Sequence, residues 1–95
     1  MKISDRITKQ KLEKYLKITE TALKIIKKNI NQKNKKQAKK IIEMSENYLS
    51  DSKYFKSKKD FVNAFAAINY AHGWIDTGTC LGIFNVKDNK LFVLA

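Results

Sequence analysis

Three side chains that could bind a metal or transfer a proton lie in a row in the last third of this 95-residue chain. His72, Asp76 and Cys80 are spaced four residues apart, so a helix would carry them on one face. Such a row extends over about 12 Å, which is too far for all three to bind one ion at about 2.0–2.3 Å. At most His72 and Asp76 could share a metal. The preferred interpretation is a buried structural pair in which Asp76 fixes the tautomer of His72, with Cys80 as a small apolar residue.

Hydrolysis is the second chemistry that this row could support. His72 and Asp76 would then need a hydroxyl nucleophile, and the candidates are Ser45, Ser52 and Thr79. No glycine-rich turn or oxyanion motif accompanies them. A small helical ribonuclease would carry a basic residue a few positions before its histidine, but residues 60–74 include neither Lys nor Arg. We therefore expect no catalytic residue, no metal ligand and no cofactor.

Positive charge is the next feature, and it is unevenly distributed. The net charge is +11, and all of it lies in the first 60 residues, because the last 35 are neutral overall. Nineteen of the twenty basic residues are Lys, which contacts phosphate but does not read bases as Arg does. A solvated surface is the simpler interpretation, and weak, nonspecific nucleic-acid binding is the alternative. The candidate phosphate contacts lie within the cluster from Lys27 to Lys40 and are Lys33, Lys35, Lys36, Lys39 and Lys40.

Apolar periodicity predicts three helices in a single domain. The chain has no proline, and its three glycines are Gly73, Gly78 and Gly82, so only polar turns interrupt the long helices. Short connections make neighbouring helices antiparallel. The predicted fold is therefore all-α, an antiparallel up-and-down three-helix bundle with a short extended C-terminal tail. The expected bounds are about 4–30, 36–56 and 60–81 for the helices and 83–95 for the tail.

The ends of these helices have recognisable caps. Ser4 or Asp5 is expected to cap the first helix, and Ser57 or Asp60 the third. Gly82, followed by Ile83, predicts a left-handed C-terminal cap. Two conformations of the tail remain open, a hairpin that turns at 88–89 and an extended segment over 91–94.

The third helix is apolar around most of its circumference, so we expect it to be buried on most sides. Trp74 and Ile68 should be largely buried. A glycine inside a helix costs about 1 kcal/mol relative to alanine, so Gly73 implies a close approach by another backbone. That backbone would be the second helix, through its row of small residues, or a second copy of the chain. The candidate core and interface residues are Tyr70, Gly73, Trp74 and Gly78, and the small row is Ala38, Ser45 and Ser52.

The segment 63–84 contains the string Tyr-Ala-His-Gly-Trp-Ile-Asp at 70–76, then Gly78, and then Leu-Gly-Ile-Phe at 81–84. Through these residues it resembles an archaeal family catalogued as domain of unknown function 357. Tyr-Phe at 54–55 and Asp-Phe-Val at 60–62 also match, so the resemblance covers most of residues 12–92. It implies a compact three-helix bundle and no activity.

One cysteine cannot form an internal disulfide, so we expect an intracellular, cytoplasmic protein. The longest uncharged run, residues 61–75, is shorter than the roughly 20 residues that span a bilayer, and no membrane association is expected. The most consistent interpretation is a small non-catalytic interaction or assembly module that binds a copy of itself or another protein. Homo-oligomers formed through the third helix are the expected form.

Overall fold

The computed structural model describes residues 6–86, and these form three helices connected by short turns. The helices are α1 (Lys9–Lys27), α2 (Lys35–Ser57) and α3 (Phe61–Cys80), with a 3₁₀ turn at Gln32–Asn34 between the first two. α2 and α3 make the most extensive contact, and α1 packs mainly against α3. The prediction of an all-α three-helix bundle is confirmed. No helix within residues 6–86 is long and apolar enough to cross a membrane.

The first helix begins later than the sequence suggested. Its N-cap is Thr8, whose side chain accepts a hydrogen bond from the backbone N–H of Lys11 at 3.1 Å. The expected start at residue 4 is therefore wrong, and Ser4 and Asp5 lie outside the described residues. Asp60 caps α3 as expected, accepting a hydrogen bond from the backbone N–H of Asn63 at 3.2 Å.

The end of α3 is closed by the predicted left-handed glycine. Gly82 has a φ of +74°, and the N–H of Ile83 donates to the carbonyl of Gly78 at 2.9 Å. The chain then crosses the α1–α2 turn, where an isolated antiparallel bridge joins Ile30 to Phe84. The C-terminal end of α3 is thereby fixed beside the lysine-rich turn. The tail conformations considered for 88–89 and 91–94 lie outside the described residues.

The core consists of two apolar clusters along α3. At the end near the α2–α3 turn, Leu12 and Leu16 pack with Ile68, which is 1% exposed. At the other end, Ile26 and Ile75 are surrounded by residues of all three helices and by Phe84. The expectation that Ile68 is buried is confirmed. Trp74 is only half-buried, because it lies at the edge of α3 and covers one side of the second cluster.

The row of small residues on α2 does receive a close helix, but not at Gly73. Ser45 donates to the carbonyl of Ala71 at 3.1 Å, and Ser52 donates to the carbonyl of Ala64 at 2.6 Å. Both serines are fully buried, so these bonds join α2 directly to the backbone of α3. The expected contact between this row and Gly73 is wrong, because Gly73 lies on the opposite, solvent-facing side of α3.

Ion pairs connect α1 to α2 across the surface. Glu13 pairs with Lys56 at 3.3 Å, and Glu20 pairs with Lys53 at 3.7 Å. Nearer the α1–α2 turn the order is reversed, with Lys27 on α1 and Glu46 on α2, 3.0 Å apart. Exposed pairs of this kind contribute little individually. Both helices have the acidic residues of these pairs nearer the N-terminus and the basic residues nearer the C-terminus. Opposite charges therefore face each other only when the two helices are antiparallel.

Candidate functional site

One side of α3 is exposed and carries no charge. Its eight exposed positions, counting the C-cap residue, follow the helical period along the whole length of the helix. Three of them are large apolar residues that are at least 60% exposed. We call this surface the neutral face, and its residues are Val62, Asn63, Ala66, Asn69, Tyr70, Gly73, Thr77 and Leu81.

The other two helices expose a different kind of surface. Seven of the ten exposed residues of α1 are charged, as are eight of the thirteen exposed residues of α2. The neutral face therefore stands apart from the remaining surface of a strongly basic protein. Helices of ordinary globular proteins place charged and polar residues on the side that faces water. An apolar, uncharged helix face is instead typical of surfaces that contact another chain.

The middle of the neutral face contains a shallow depression lined by small, polar and aromatic residues. The depression, of about 400 Å³, is centred on Gly73 and lined also by Asn69, Tyr70, Trp74 and Thr77. The Tyr70 ring is 63% exposed and stacks on Tyr48, with ring centroids 5.4 Å apart. A methyl group placed on Gly73 would meet no atom within 4 Å. Nothing in the described part of the chain therefore requires a glycine at this position.

The other glycine named from the sequence has a local explanation. Gly78 is buried, and a methyl group there would lie 2.5 Å from Cε2 of Phe84 and 3.1 Å from Cδ1 of Ile41. Gly78 thus belongs to the core, whereas Tyr70 and Gly73 belong to the neutral face and Trp74 borders it. Sequence reasoning placed all four in one group, and the structure divides them between two sides of α3.

His72 and Asp76 are close together at one edge of the neutral face. Nε2 of His72 lies 3.5 Å from Oδ1 of Asp76, and Nδ1 of His72 lies 3.1 Å from Oγ1 of Thr19. The two side chains are 22% and 27% exposed, so the pair is half-buried rather than buried as expected. It borders a cavity of about 310 Å³ between α1 and α3.

Thr19 is the member of this arrangement that sequence reasoning missed. It is 1% exposed and lies in the apolar stripe of α1, seven residues from both Leu12 and Ile26. A hydroxyl at a core position of a helix needs a polar partner, and that requirement was the available signal. His72 meets this requirement from α3. Thr19, His72 and Asp76 therefore form a polar link between two helices.

The hydroxyl groups considered as nucleophiles lie elsewhere. Ser45 and Ser52 are buried between α2 and α3, where they bond to backbone carbonyls. Thr79 donates to the carbonyl of Asp76 at 2.9 Å. Thr19 does contact His72, and its side chain is 1% exposed. Among residues 6–86, no group of three or more His, Cys, Asp or Glu side chains is placed to hold a metal ion.

The lysine cluster surrounds the α1–α2 turn and the first turns of α2. All seven of its lysines are exposed. Lys27 pairs with Glu46, and Lys40 pairs with Glu43 at 3.6 Å. Within the described residues, the other five have no carboxylate within 4.0 Å, and the first turn of α2 contains no acidic residue. Unneutralised positive charge is therefore concentrated at this end, on Lys28, Lys33, Lys35, Lys36 and Lys39.

These features define a small all-α protein with a neutral helix face, a polar interhelical link and one strongly basic end. A sequence model of the family described as "Protein of unknown function (DUF357)" matches residues 14–84, and the chain belongs to that family. The match includes all of α2 and α3, the greater part of α1 and the bridge at Phe84. No curated protein and no solved structure matches the chain.

Proposed function

We propose that this chain is a non-catalytic interaction module whose neutral face binds another polypeptide chain. The observation that carries the proposal is Gly73. A glycine in the interior of a helix costs about 1 kcal/mol relative to alanine, and the surroundings of Gly73 within residues 6–86 leave room for a side chain. A partner that approaches the helix closely at this point would account for the missing side chain.

The residues around Gly73 support the same function. Tyrosine and tryptophan are enriched at the centres of protein interfaces, where they bury large areas at little entropic cost. Tyr70 and Trp74 flank Gly73, and Val62 and Leu81 extend the apolar surface to both ends of α3. Water contact at these four residues is unfavourable in the isolated protomer. Covering these four side chains would stabilise a complex, because it removes apolar surface from water.

The test compares two exposed tyrosines that differ in location. Tyr70 is 63% exposed on the neutral face, whereas Tyr54 is 58% exposed on α2. A tagged chain in extract of the source cells is expected to elute above the mass of the tagged protomer, which is 11.0 kDa plus the mass of the tag. Tyr70→Lys should elute at the protomer mass, and Tyr54→Lys should elute like the wild type. Equal behaviour of the two variants, or a wild type that elutes as a protomer, would contradict the proposal.

A second candidate function is nonspecific nucleic-acid binding by the lysine cluster. It is favoured by the five exposed lysines that have no carboxylate partner within the described residues and lie at one end of the molecule. Such binding should weaken steeply with salt, by a logarithmic slope of about 0.9 for each phosphate contacted on duplex DNA. It should also be nearly independent of base sequence.

Two sets of five lysine-to-glutamine changes test this candidate at equal net charge. The first removes the five lysines of the cluster that have no carboxylate partner within the described residues, Lys28, Lys33, Lys35, Lys36 and Lys39. The control removes five exposed lysines outside the cluster, Lys11, Lys14, Lys17, Lys24 and Lys58. Binding to a duplex oligonucleotide should be lost in the first set and largely kept in the second. Equal losses would show attraction by net charge alone and would exclude a defined surface.

A further inference from the structure

We propose that the partner of the neutral face is a second copy of this chain, bound across a two-fold axis beside Gly73 with the two α3 helices antiparallel. This inference rests on the proposed function and specifies its partner. Three independent features support it, namely the charge distribution, the symmetry of the residues about Gly73 and the small size of the residues at the centre.

Charge favours a second copy on this face and disfavours it elsewhere. Each chain carries a net charge of +11, so two copies repel one another wherever lysines face lysines. The neutral face has no charged residue among its exposed positions, whereas most exposed residues of α1 and α2 are charged. Contact through the neutral face therefore avoids the repulsion that contact through α1 or α2 would produce. A polyanion, by contrast, would be attracted to the lysine cluster instead.

Charge also selects the antiparallel orientation. The C-terminal end of α3 lies at the lysine-rich end of the bundle, because the N–H of Asn31 donates to the carbonyl of Ile83 at 2.9 Å. Parallel α3 helices would bring the two lysine clusters side by side. Antiparallel helices place them at opposite ends of the dimer. A helix of 20 residues is about 30 Å long, several times the screening length of about 8 Å at physiological salt.

The residues on either side of Gly73 are suited to face one another. In an antiparallel two-fold pair centred on residue 73, facing residues have numbers that add up to about 146. Tyr70 then lies over Thr77 of the second copy, and Asn69 faces Asp76, whose carboxylate can accept from its amide. Ala66 lies opposite Cys80. Each pairing joins polar with polar groups, small with small, or an aromatic ring with a methyl group, and each occurs twice.

The size of the central residues permits the close contact that this arrangement requires. Helices pack at interaxial distances of about 8–10 Å, and the shorter distances need small residues at the crossing. Gly73 would lie at the crossing itself, and Ala66 one helical repeat away on the same face. The depression of about 400 Å³ around Gly73 is flanked by Tyr70 and Trp74. The two-fold axis would bring the depressions of the two copies together.

The most direct test uses a residue beside the two-fold axis, because such a residue lies next to the same residue of the second chain. In a Cys80→Ser background, Gly73→Cys should form a disulfide between two chains when purified protein is treated with diamide. The Cβ atoms must approach to about 3.5–4.5 Å for this bond to form. The matched control is Ser50→Cys in the same background, because Ser50 is exposed and uncharged but lies on α2.

The solution mass of purified protein gives a second measurement that needs no cysteine. The wild type and Tyr54→Lys are expected to sediment as dimers at micromolar concentration, and Tyr70→Lys as a protomer. Gly73→Leu should also shift the equilibrium towards protomers by at least tenfold, because its side chain would hold the helices apart. Circular dichroism checks that each variant keeps its helix content.

Three results would overturn this inference, and two of them leave the proposed function intact. If the purified wild type remains a protomer while the extract complex still depends on Tyr70, the partner is another protein. If purified dimers form but Gly73→Cys does not cross-link, the two-fold axis lies elsewhere. If Tyr70→Lys changes neither the purified dimer nor the extract complex, both the inference and the proposed function fail.

Discussion

The ring of Phe84 lies against Gly78, so the chain that follows α3 packs where only a glycine leaves room. A methyl group on Gly78 would be 2.5 Å from Cε2 of Phe84 and 3.1 Å from Cδ1 of Ile41. The first neighbour belongs to the segment that bridges to the α1–α2 turn, and the second to α2. This glycine therefore allows three parts of the chain to meet at the lysine-rich end of the bundle.

We predict that Gly78→Ala lowers the free energy of unfolding by about 1–3 kcal/mol, the usual result of adding a methyl group to a full core. Helix propensity alone would favour alanine, so the loss measures the displacement of Phe84. Urea denaturation monitored by circular dichroism gives the value. In the Phe84→Leu background the penalty should become smaller, and an unchanged penalty would show that the ring of Phe84 is not its cause.

The opposite sign is expected at Gly73. Gly73→Ala should raise the free energy of unfolding of the protomer by about 0.5–1 kcal/mol, because the new methyl group meets nothing within 4 Å. The measurement belongs in the Tyr70→Lys background, where self-association does not contribute. A loss of stability there would mean that the protomer itself requires glycine at this position, which would remove the main support for a partner surface.

Lys59 offers a third test, because its backbone is in the left-handed region with a φ of 60°. It occupies the position after the C-cap of α2, where the N–H of Asp60 donates to the carbonyl of Phe55 at 2.9 Å. Glycine is favoured at such a position because it lacks the Cβ clash. Lys59→Gly should therefore raise stability by about 0.5–1 kcal/mol in thermal or urea unfolding. Lys59→Ala keeps the clash, so a similar gain from alanine would point to the loss of charge instead.

Sequence periodicity predicted the fold because the apolar residues of α1 recur at helical spacing along most of the helix. Leu12, Leu16 and Ile26 lie on one stripe at this spacing, and all three are buried. The start of α1 was misplaced because Ser4, Asp5 and Thr8 are all acceptable caps. Only the tertiary structure distinguishes among them.

The candidate site was harder to predict because an apolar residue on α3 can face either inwards or outwards. Trp74 and Tyr70 were grouped with Gly78 since all three lie in the segment 61–84, whose single charged residue is Asp76. The low amphipathicity of that segment removed the polar stripe that normally marks the solvent side of a helix. His72 and Asp76 are four residues apart on one helix, and their side chains lie 3.5 Å apart. Thr19, by contrast, is 53 residues away from His72, and no local pattern connects the two.

The link between Thr19 and His72 should contribute measurably to the packing of α1 on α3. Thr19→Val keeps the shape of the side chain and removes the hydroxyl that lies 3.1 Å from Nδ1 of His72. We expect a loss of about 0.5–1.5 kcal/mol, the typical net contribution of one hydrogen bond. Thr21→Val on the exposed side of α1 should change stability by less than about 0.5 kcal/mol. In a double-mutant cycle with His72→Phe, a coupling energy near zero would show that the two side chains do not stabilise each other.

The ion pairs between α1 and α2 predict an asymmetric response to charge reversal. Glu20 and Lys53 are 3.7 Å apart and about half exposed, so the pair should contribute less than about 1 kcal/mol. Glu20→Lys removes this attraction and adds positive charge to a chain that already carries +11, whereas Lys53→Glu removes the attraction but lowers the net charge. The first change should therefore destabilise the protein more than the second.

The double reversal, Glu20→Lys with Lys53→Glu, restores the pair at the original net charge and should recover most of the lost stability. The wild type, the two single variants and the double variant should be compared by urea unfolding at low salt and again in about 1 M NaCl. At the higher concentration the screening length is only about 3 Å, so interactions between exposed charges are weak. The differences should shrink at high salt if they are electrostatic. Differences that persist in 1 M NaCl would show that the aliphatic parts of these side chains, which line the groove between α1 and α2, matter more than their charges.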